Sequence, residues 1–455
     1  MKKFKNLLTL LLAFVLLSVF SFGCLPKPAV PNGSQAREDG EEGTSSTGTD
    51  LTVAMPLDER ENVTLDVWYA VSGTSGEKFV EQAEAFDKQS DLVSLNLSYS
   101  GGANDTATKV AAALLTDTQP DVALMYAGAS YTGSLGNFDT GQLIQREGFN
   151  ADDIYPGIWD YCRYYTGGIC AVPYGISTPV LYYNKAIVEA AGVDMTNPPK
   201  TWDELYEVLK ICKEKGNVNG MEGFTAFDTS DVGWLFKSML MQNDCPVVEV
   251  NDGVITPVFN NAEAVEVAEY WKKLVDEGLM AANEHSSSEN KFLAGNLAFL
   301  VMSSNRISRW TEVDIEIGAI EMPYFKTQSV ALGGTVLTIF TQDEQKIEAA
   351  WDLVSYLLEP QQNLDFALST GYLPVRASEL EDEKAVEAIE ENEMYSIAFN
   401  QMPYAWAYVH FEQMGTMDLQ LADALSRIEK GTKDPQTALN DALNTLVEDM
   451  EYDNQ

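Results

Sequence analysis

The chain has 455 residues, a formal net charge of −40, and contents of 45% hydrophobic and 10% aromatic residues. A surface this acidic repels phosphate backbones and anionic lipid headgroups, which argues against nucleic acid as a partner. The composition is that of a globular protein and the length exceeds one ordinary hydrophobic core, so we expect two lobes.

The first 23 residues have the layout of a secretory signal peptide. Three lysines precede an apolar run from Leu7 to Phe22, which is short for a membrane span and is followed by Gly23 and Cys24. This ending resembles the lipobox of bacterial lipoproteins, in which the cysteine is acylated, although Ser21 stands where that pattern prefers leucine. We predict a signal peptide over residues 1–23 and lipidation of Cys24. A plain signal peptide with an incidental cysteine stays open as the alternative.

Residues 24–61 are rich in Pro, Gly, Ser, Thr and Glu and show no apolar period. Such composition predicts a disordered tether, which a lipid-anchored globule needs in order to stand off the membrane. We therefore expect an exported monomer at the outer face of the cytoplasmic membrane or in the periplasm, attached to the membrane only by its lipid anchor.

The folded part begins near Asn62 with strand and helix patterns in alternation. Period-two or continuous apolar runs predict strands, and 3.6-residue spacing predicts helices. The segments in chain order are a strand at 63–69, a helix at 77–89, a strand at 92–100, a helix at 105–117 and a strand at 121–126. This order predicts an α/β lobe with a largely parallel sheet.

A second α/β region follows in the chain. Thr201 and Glu204 form a capping-box pattern before an apolar helix face, and Asn261 and Gly278 bracket another helix. Buried strands are predicted at 297–304 and 330–341, the latter broken by two glycines. Helices dominate from Asp343 onward and end with one over 434–450.

Four cysteines follow Cys24. Cys162 and Cys170 flank a Thr-Gly-Gly turn signal, so a hairpin would place them opposite each other, and we predict a disulfide between them. Cys212 falls on a predicted helix and Cys245 in a loop, and the sequence does not decide whether these two pair or stay as buried thiols.

Groups that carry catalysis are scarce. The two histidines, His285 and His410, are far apart in sequence, and the nucleophile-elbow, phosphate-loop, dinucleotide and CxxC motifs are missing. We predict no catalytic residue, no metal and no cofactor. A glycoside hydrolase needs only two well-placed carboxylates, so a secreted carbohydrate-active enzyme (a lyase or hydrolase) stays as the alternative to a binding protein.

Aromatic and small polar residues are frequent near predicted strand ends. Aromatic faces with hydroxyl and amide groups at their rim suit sugars and other polyols, whereas any single member of the group is as often core. The candidates are Trp68, Tyr69, Tyr126, Tyr131, Tyr174, Trp234, Tyr372, Trp406 and Tyr408.

Four motifs occur in one order along the chain: "STPVLYYNK" (177–185), "NPPKTWDEL" (197–205), the glycine pair 333–334 and "TGYLPVR" (370–376). Together they resemble the extracellular solute-binding proteins (family 1) of ABC sugar importers, and in particular the glycerol-3-phosphate-binding branch. The resemblance covers about residues 62–450. It implies the two-lobed, periplasmic-binding-protein-like (type II) α/β fold, with a ligand cleft between the lobes and several interlobe crossings.

The resemblance also implies lobe boundaries and a site. Lobe 1 would comprise 62–176 and 334–371, and lobe 2 would comprise 177–333 and 372–455. Ser177, Ser304, a glycine at 333 or 334, and Tyr372 match ligand contacts of the glycerol-3-phosphate proteins, while Trp234 and Trp406 stand where the sugar-binding relatives stack their ligands. The predicted ligand-binding residues are Ser72, Tyr126, Ser177, Trp234, Ser304, Asn305, Gly334, Tyr372 and Trp406.

Other contacts of that branch are missing. Its binding tyrosine and glutamate fall near Ala103 and at Ala127, and its phosphate-pairing arginine falls within residues 406–413, which hold no arginine. Arg306 or His410 could replace it, but the loss of a bidentate contact favours a neutral sugar or oligosaccharide over a polyol phosphate. The implied partners are that ligand and the transmembrane subunits of an ABC permease; a sensor kinase or chemoreceptor in place of the permease is equally compatible with the sequence.

Overall fold

The computed structural model describes residues 53–126, 140–147, 149–217 and 220–453. The strands in these ranges are β1 (Val63–Tyr69), β2 (Val93–Tyr99), β3 (Val122–Tyr126), β4 (Val172–Ser177), β5 (Pro179–Asn184), β6 (Thr225–Thr229), β7 (Val248–Asn251), β8 (Val254–Pro257), β9 (Leu297–Ser303), β10 (Ile317–Ile320), β11 (Val330–Ala331), β12 (Gly333–Ile339) and β13 (Ala405–Trp406).

The α-helices in the same ranges are α1 (Thr74–Gln89), α2 (Ala103–Leu114), α3 (Thr140–Arg146), α4 (Pro156–Tyr161), α5 (Lys185–Ala190), α6 (Trp202–Lys215), α7 (Val232–Gln242), α8 (Ala262–Asp276), α9 (Ser288–Leu293), α10 (Glu344–Leu357), α11 (Pro360–Thr370), α12 (Glu383–Glu391), α13 (Met394–Asn400), α14 (Met414–Glu429) and α15 (Pro435–Asp453). Short 3-10 turns lie at Ser304–Arg306 and Arg309–Glu312, among other places.

Two mixed sheets organise the fold. The first has the order β2-β1-β3-β12-β4, in which β1, β2 and β3 are parallel and β12 runs antiparallel to both of its neighbours. The second has the order β10-β5-β9-β6, with only β6 and β9 parallel. The strand-helix alternation predicted for residues 63–126 is therefore confirmed, and its parallel strands form one edge of the first sheet.

Local signals in the sequence set several helix ends. The Thr201 hydroxyl accepts from the backbone N–H of Glu204, whose carboxylate accepts from the N–H of Thr201, so the predicted capping box begins α6. Asn261 caps α8 by accepting from the N–H of Ala264. These reciprocal bonds satisfy backbone donors that a helix start otherwise leaves without intrahelical partners.

The chain passes between the sheets at short crossings. Thr178 alone separates β4 of the first sheet from β5 of the second. Leu332 alone separates β12 of the first sheet from β11, which pairs with β13 in a small two-stranded sheet beside the second core. After α11 the backbone of residues 372–376 stays beside the first sheet, where the N–H of Leu373 donates to the carbonyl of Ile176 at 2.7 Å. Helix α13 then packs on β5 and β10 of the second sheet. The lobe boundaries given above stay a prediction.

Apolar side chains fill the space around both sheets. Leu65, Val67 and Phe79 are fully buried beside the first sheet, and Trp202 and Trp271 are fully buried beside the second. Burial of roughly 150–250 Å² for each aromatic side chain makes such residues the largest single contributors to a core. No helix in the described ranges has the length and apolarity that a membrane crossing requires.

The structure corrects the predicted disulfide. Cys162 and Cys170 do lie opposite each other, because the N–H of Cys170 donates to the carbonyl of Cys162 at 2.9 Å, but both are free thiols. The Cys170 thiol points back into its own turn and donates to the carbonyl of Gly168 at 3.5 Å. Cys212 and Cys245 are also free and buried. Burial raises the pKa of the Cys212 thiol to about 12, which keeps it protonated and unreactive.

Candidate functional site

Three of the predicted ligand-binding segments meet where the chain crosses between the sheets. Ser177, the last residue of β4, pairs with Gly333, the first residue of β12. A Cβ atom on Gly333 would stand 3.0 Å from Cζ2 of Trp234 and 3.3 Å from Oγ of Ser177. Asp231 caps α7 by accepting from the N–H of Trp234 at 2.9 Å, which fixes the start of that helix. The Ser177 hydroxyl and the Trp234 indole therefore lie side by side next to the backbone of Gly333, which has no side chain to separate them.

A second group of predicted residues forms a polar chain between the sheets. The hydroxyl oxygens of Tyr126, at the end of β3, and Tyr372 lie 3.1 Å apart. Tyr372 is only 2% exposed, and burial raises its pKa well above the usual value. Gly371 ends α11 with a φ of +76°, and a Cβ atom there would lie 2.8 Å from the carbonyl oxygen of Asn305. The glycine thus permits the close approach of the Asn305 backbone to the end of α11, one residue before Tyr372.

The two predicted tryptophan platforms lie on either side of the Leu332 crossing. Nε1 of Trp234 donates to the carbonyl of Leu332 at 3.3 Å, and the N–H of Leu332 donates to the carbonyl of Trp406 at 2.7 Å. The Trp406 ring meets Tyr408 edge-on, with ring centres 4.8 Å apart. Nε1 of Trp406 is buried and has no hydrogen-bond partner among the described residues. A buried N–H donor without a partner in this position is suited to bonding an acceptor atom of a bound ligand.

Two other residues predicted to contact the ligand, Ser304 and Gly334, lie against backbone groups next to the crossings. Ser304 is fully buried, its N–H donates to the carbonyl of Thr178 at 2.9 Å, and its hydroxyl accepts from the N–H of Thr178 at 3.4 Å. Gly334 has a φ of +116°, and a Cβ atom there would stand 2.0 Å from the carbonyl oxygen of Gly175. Glycine is therefore required at position 334 because the backbone of strand β4 approaches it closely. Ser72 lies exposed in the loop before α1.

The wider set of aromatic candidates divides between site and core. Tyr174 is fully buried and donates to Gln82 at 2.6 Å, and Tyr69 packs against Phe79 and Tyr99. Tyr131 and the predicted lipidation residue Cys24 lie outside the described residues. Core packing thus accounts for Tyr69 and Tyr174.

Two residues beside the crossings are missing from the sequence-based set. The Tyr161 hydroxyl donates to the carbonyl of Gly334 at 3.1 Å. The fully buried Gln401 amide donates to Thr178 and to the carbonyl of Pro179, at 3.1 and 2.8 Å, and accepts from the N–H of Met322 at 2.8 Å. Neither residue carries a local signal, because each is defined by backbone groups more than 75 residues away in sequence.

The charged groups near these residues are mostly paired. Arg306 Nε lies 2.9 Å from Oε1 of Glu289. His410 is fully buried, and burial, with the nearby Lys237 ammonium, lowers its pKa to about 4, so its imidazole is neutral at pH 7. Neither residue replaces the missing phosphate-pairing arginine as a free cation. Among the described residues no group of three or more His, Cys, Asp or Glu side chains could hold a metal ion.

Two mixed sheets covered by helices are joined by short crossings, and aromatic and neutral polar side chains gather at those crossings. This arrangement defines a two-lobed binding protein with its cleft between the lobes. The chain belongs to the family of bacterial extracellular solute-binding proteins, whose model matches residues 81–393. That family consists of transport binding proteins, so the predictions of fold and family are confirmed, as is the prediction that the chain is not an enzyme.

Individual relatives are distant in sequence and close in fold. The sn-glycerol-3-phosphate-binding periplasmic protein UgpB of Rhizobium meliloti is 22% identical over 362 residues, which cover 76% of this chain and 83% of that protein. The crystal structure of UgpB from Mycobacterium tuberculosis with glycerophosphocholine gives a TM-score of 0.74 at 22% identity and covers 87% and 100% of the two chains. The cyclic alpha-maltosyl-1,6-maltose binding protein from Arthrobacter globiformis gives 0.69 at 22% identity, with 85% and 100% covered.

Proposed function

We propose that this protein captures a sugar or oligosaccharide in the cleft between its lobes and delivers it unchanged to the transmembrane subunits of an ABC permease. The observation that carries the proposal is the meeting of Ser177, Gly333 and Trp234, with Cζ2 of the indole 3.0 Å from the position of a Cβ on Gly333. An indole ring beside a hydroxyl group and a half-buried glycine backbone suits a polyhydroxylated ring. Solved relatives of the same fold bind such ligands.

The single-residue crossings at Thr178 and Leu332 support a hinge. A binding protein that delivers its ligand must open and close, and hinges of this kind absorb the motion in a few backbone angles at the ends of rigid elements. The proposal extends to attachment through an acylated Cys24, with the signal peptide removed. The segment between Cys24 and the contacts of Arg60 with α10 would serve as a tether on the outer side of the cytoplasmic membrane.

A polyol phosphate is the second candidate ligand, and Arg309 is the observation that favours it. This exposed side chain has no ion-pair partner among the described residues, and its Nη2 lies 3.6 Å from the position that a Cβ on Gly73 would occupy. Gly73 precedes the first turn of α1, where backbone N–H groups and the helix dipole also favour an anion.

A thermal-shift screen distinguishes these candidates. The panel contains maltose, mannotriose, glycerol 3-phosphate and glycerophosphocholine, and a ligand at one hundred times its dissociation constant adds about 2.7 kcal/mol of stability. Stabilisation by a saccharide with no change in its mass after incubation supports capture without turnover. Hydrolysis of the saccharide, or failure of every compound, counts against the proposal.

Tryptophan fluorescence locates the site. We expect a ligand-induced change in the wild type and a roughly ten-fold or larger loss of affinity in Trp234→Ala or Trp406→Ala. Trp351→Phe, in the buried face of α10, is the control and should bind like the wild type. Equal affinity in all three variants would place the ligand elsewhere.

A further inference from the structure

One face of helix α7 lies against the Leu332 crossing. Trp234, Lys237 and Ser238 are spaced by three and four residues, so their side chains lie on the same side of the helix. Nε1 of Trp234 donates to the carbonyl of Leu332, and the Ser238 hydroxyl accepts from the N–H of Ala331 at 3.2 Å. Lys237, the remaining residue of this face, is only 4% exposed. A lysine is rarely buried to this extent unless its ammonium is paired.

The Lys237 ammonium lies between a carboxylate and an aromatic ring. Its Nζ is 2.5 Å from Oδ1 of Asp418, in α14, and 4.1 Å from the centre of the Tyr408 ring. The Asp418 side chain is 43% exposed, so the ion pair reaches solvent at that end. A cation over an aromatic face is attracted by the ring, and the attraction is stronger where water is excluded. Lys237 therefore holds the Tyr408 ring from one of its faces.

Tyr408 contacts both of the predicted tryptophan platforms. Its hydroxyl donates to the carbonyl of Trp234 at 3.3 Å, and this bond has a single direction because a carbonyl only accepts. Its ring meets the Trp406 ring at 82°, with the ring centres 4.8 Å apart, which is the edge-to-face arrangement that aromatic pairs favour. A displacement of the Tyr408 ring would therefore reach Trp406 directly and the start of α7 through the hydroxyl.

We infer that Lys237 is a positioning residue for the ligand site, which holds the Tyr408 ring and through it the orientation of Trp406. The inference rests on the proposed function for the role of Trp406 toward a ligand, and on the contacts above for the orientation of the ring. A buried ion pair contributes little to stability once its desolvation is counted, so an apolar side chain of similar length could pack here. Such a side chain lacks the attraction to the aromatic face. Lys237 therefore acts on the site more than on folding.

The indole N–H signals in the NMR spectrum of the isotope-labelled, ligand-free full chain test the positioning. Trp406→Phe assigns the Trp406 signal, which we expect to move or broaden in Lys237→Met. It should lie closer to its wild-type position in Lys237→Arg, because a guanidinium also stacks on aromatic faces. The Trp351 signal, from α10 beside the first sheet, should stay in place in both variants and reports an intact fold. An unchanged Trp406 signal in Lys237→Met, or an equal displacement in both variants, overturns the inference.

Asp418→Asn tests the same contact from its exposed end and keeps the test decisive if Lys237→Met fails to fold. The substitution removes the charge that holds the ammonium and leaves the buried side chains unchanged. The Trp406 signal should therefore move in the same direction as in Lys237→Met, by a smaller amount. Asp423→Asn breaks an exposed pair with Arg427 on the same helix and is the matched control, which should leave the signal in place. A Trp406 signal that neither substitution affects would contradict the role of the ion pair.

Affinity for maltose or mannotriose, whichever stabilises the wild type, tests the consequence for binding. Lys237→Met should weaken binding roughly ten-fold, and Lys237→Arg by no more than about three-fold. Lys88→Met removes an exposed lysine that pairs with Glu84 and should bind like the wild type. Wild-type affinity in Lys237→Met would refute the positioning role. If the wild type binds no saccharide, the proposed function fails, and the Trp406 signal still decides whether Lys237 orients the ring.

Discussion

The Tyr161 hydroxyl donates to the carbonyl of Gly334 at 3.1 Å, and it does so inside the protein, where both groups are buried. This bond joins helix α4 to the first residues of β12, beside the one-residue crossing at Leu332. Strand β12, which returns the chain to the first sheet, therefore pairs with β4 and also accepts a hydrogen bond from Tyr161.

Gly334→Ala should be strongly destabilising. The residue has a φ of +116°, and a Cβ atom would stand 2.0 Å from the carbonyl oxygen of Gly175, so both strain and a backbone clash oppose it. We expect a loss of about 3 kcal/mol or more in the free energy of unfolding, measured by urea denaturation. Gly192→Ala is the control: its φ is +76° but nothing lies within 4 Å, so it should cost about 1 kcal/mol. Equal losses would show that the clash is relieved.

Gln401→Leu should destabilise the crossing at Thr178. The substitution leaves the N–H of Met322 and the carbonyl of Pro179 without partners in a fully buried environment. The expected cost is about 2–4 kcal/mol, from two buried groups left unpaired. Chemical denaturation measures it, with Gln361→Leu, at an exposed bond to Asp382, as the control expected within about 0.5 kcal/mol of wild type. Similar stabilities for the two variants would contradict the role of Gln401.

The stability of the protein should fall at alkaline pH because of His285. Its Nδ1 lies 2.5 Å from Asp228 and its Nε2 lies 3.0 Å from Glu429. Burial acts to lower the pKa of His285, but the hydrogen bonds to the two carboxylates outweigh it and raise the pKa to about 9, from 6.5. The stabilisation is fully present below pH 6.5 and is lost as the pH rises through 9. We expect it to be on the order of 2–3 kcal/mol.

The measurement compares unfolding free energies at pH 6 and pH 9.5 in the wild type and in His285→Gln. Other groups titrate in both proteins, so the difference between the two pH profiles isolates His285. Parallel profiles would mean that the imidazole is not held as a cation.

Glu348→Ala should release the start of the folded chain. The Glu348 carboxylate, 4% exposed, lies 2.8 Å from Arg60 and 2.6 Å from Arg146. Its removal leaves Arg60 with Asp352 and Arg146 with Glu147 as their remaining carboxylate partners, at 2.7 Å each. We expect a loss of about 1–3 kcal/mol and faster proteolysis near Arg60, followed by mass spectrometry. Glu84→Ala breaks an exposed pair with Lys88 and should change neither quantity measurably. Unchanged cleavage in Glu348→Ala would refute this anchoring.

Local sequence patterns account for most of the elements. Strand β1 begins and ends where the alternation of Val63, Leu65, Val67 and Tyr69 predicts, and the Thr201 capping box begins α6. Both signals depend on neighbours in sequence. The free thiols of Cys162 and Cys170 were missed because hairpin spacing sets the distance between backbones and not the direction of the side chains.

The candidate site was predicted only in part. The resemblance identified Ser177, which the structure places beside the Thr178 crossing, and Tyr372, which it places beside the first sheet within hydrogen-bond distance of Tyr126. The resemblance did not indicate that the Ser304 hydroxyl bonds the backbone at Thr178, or that Arg306 contacts Asn305. Such contacts depend on how the sheets are placed relative to each other, which no local pattern encodes.

The position of β12 in the first sheet has a consequence for how the polypeptide folds. Residues 333–339 are inserted between β3 and β4, whose last residues are 126 and 177, so a chain emerging from the ribosome has made both flanking strands long before the strand that separates them. Until residue 339 is available, β3 and β4 present unsatisfied edges to each other and to other chains. Such long-range pairing slows folding, and it leaves these strand edges open to aggregation until the later part of the chain has been made.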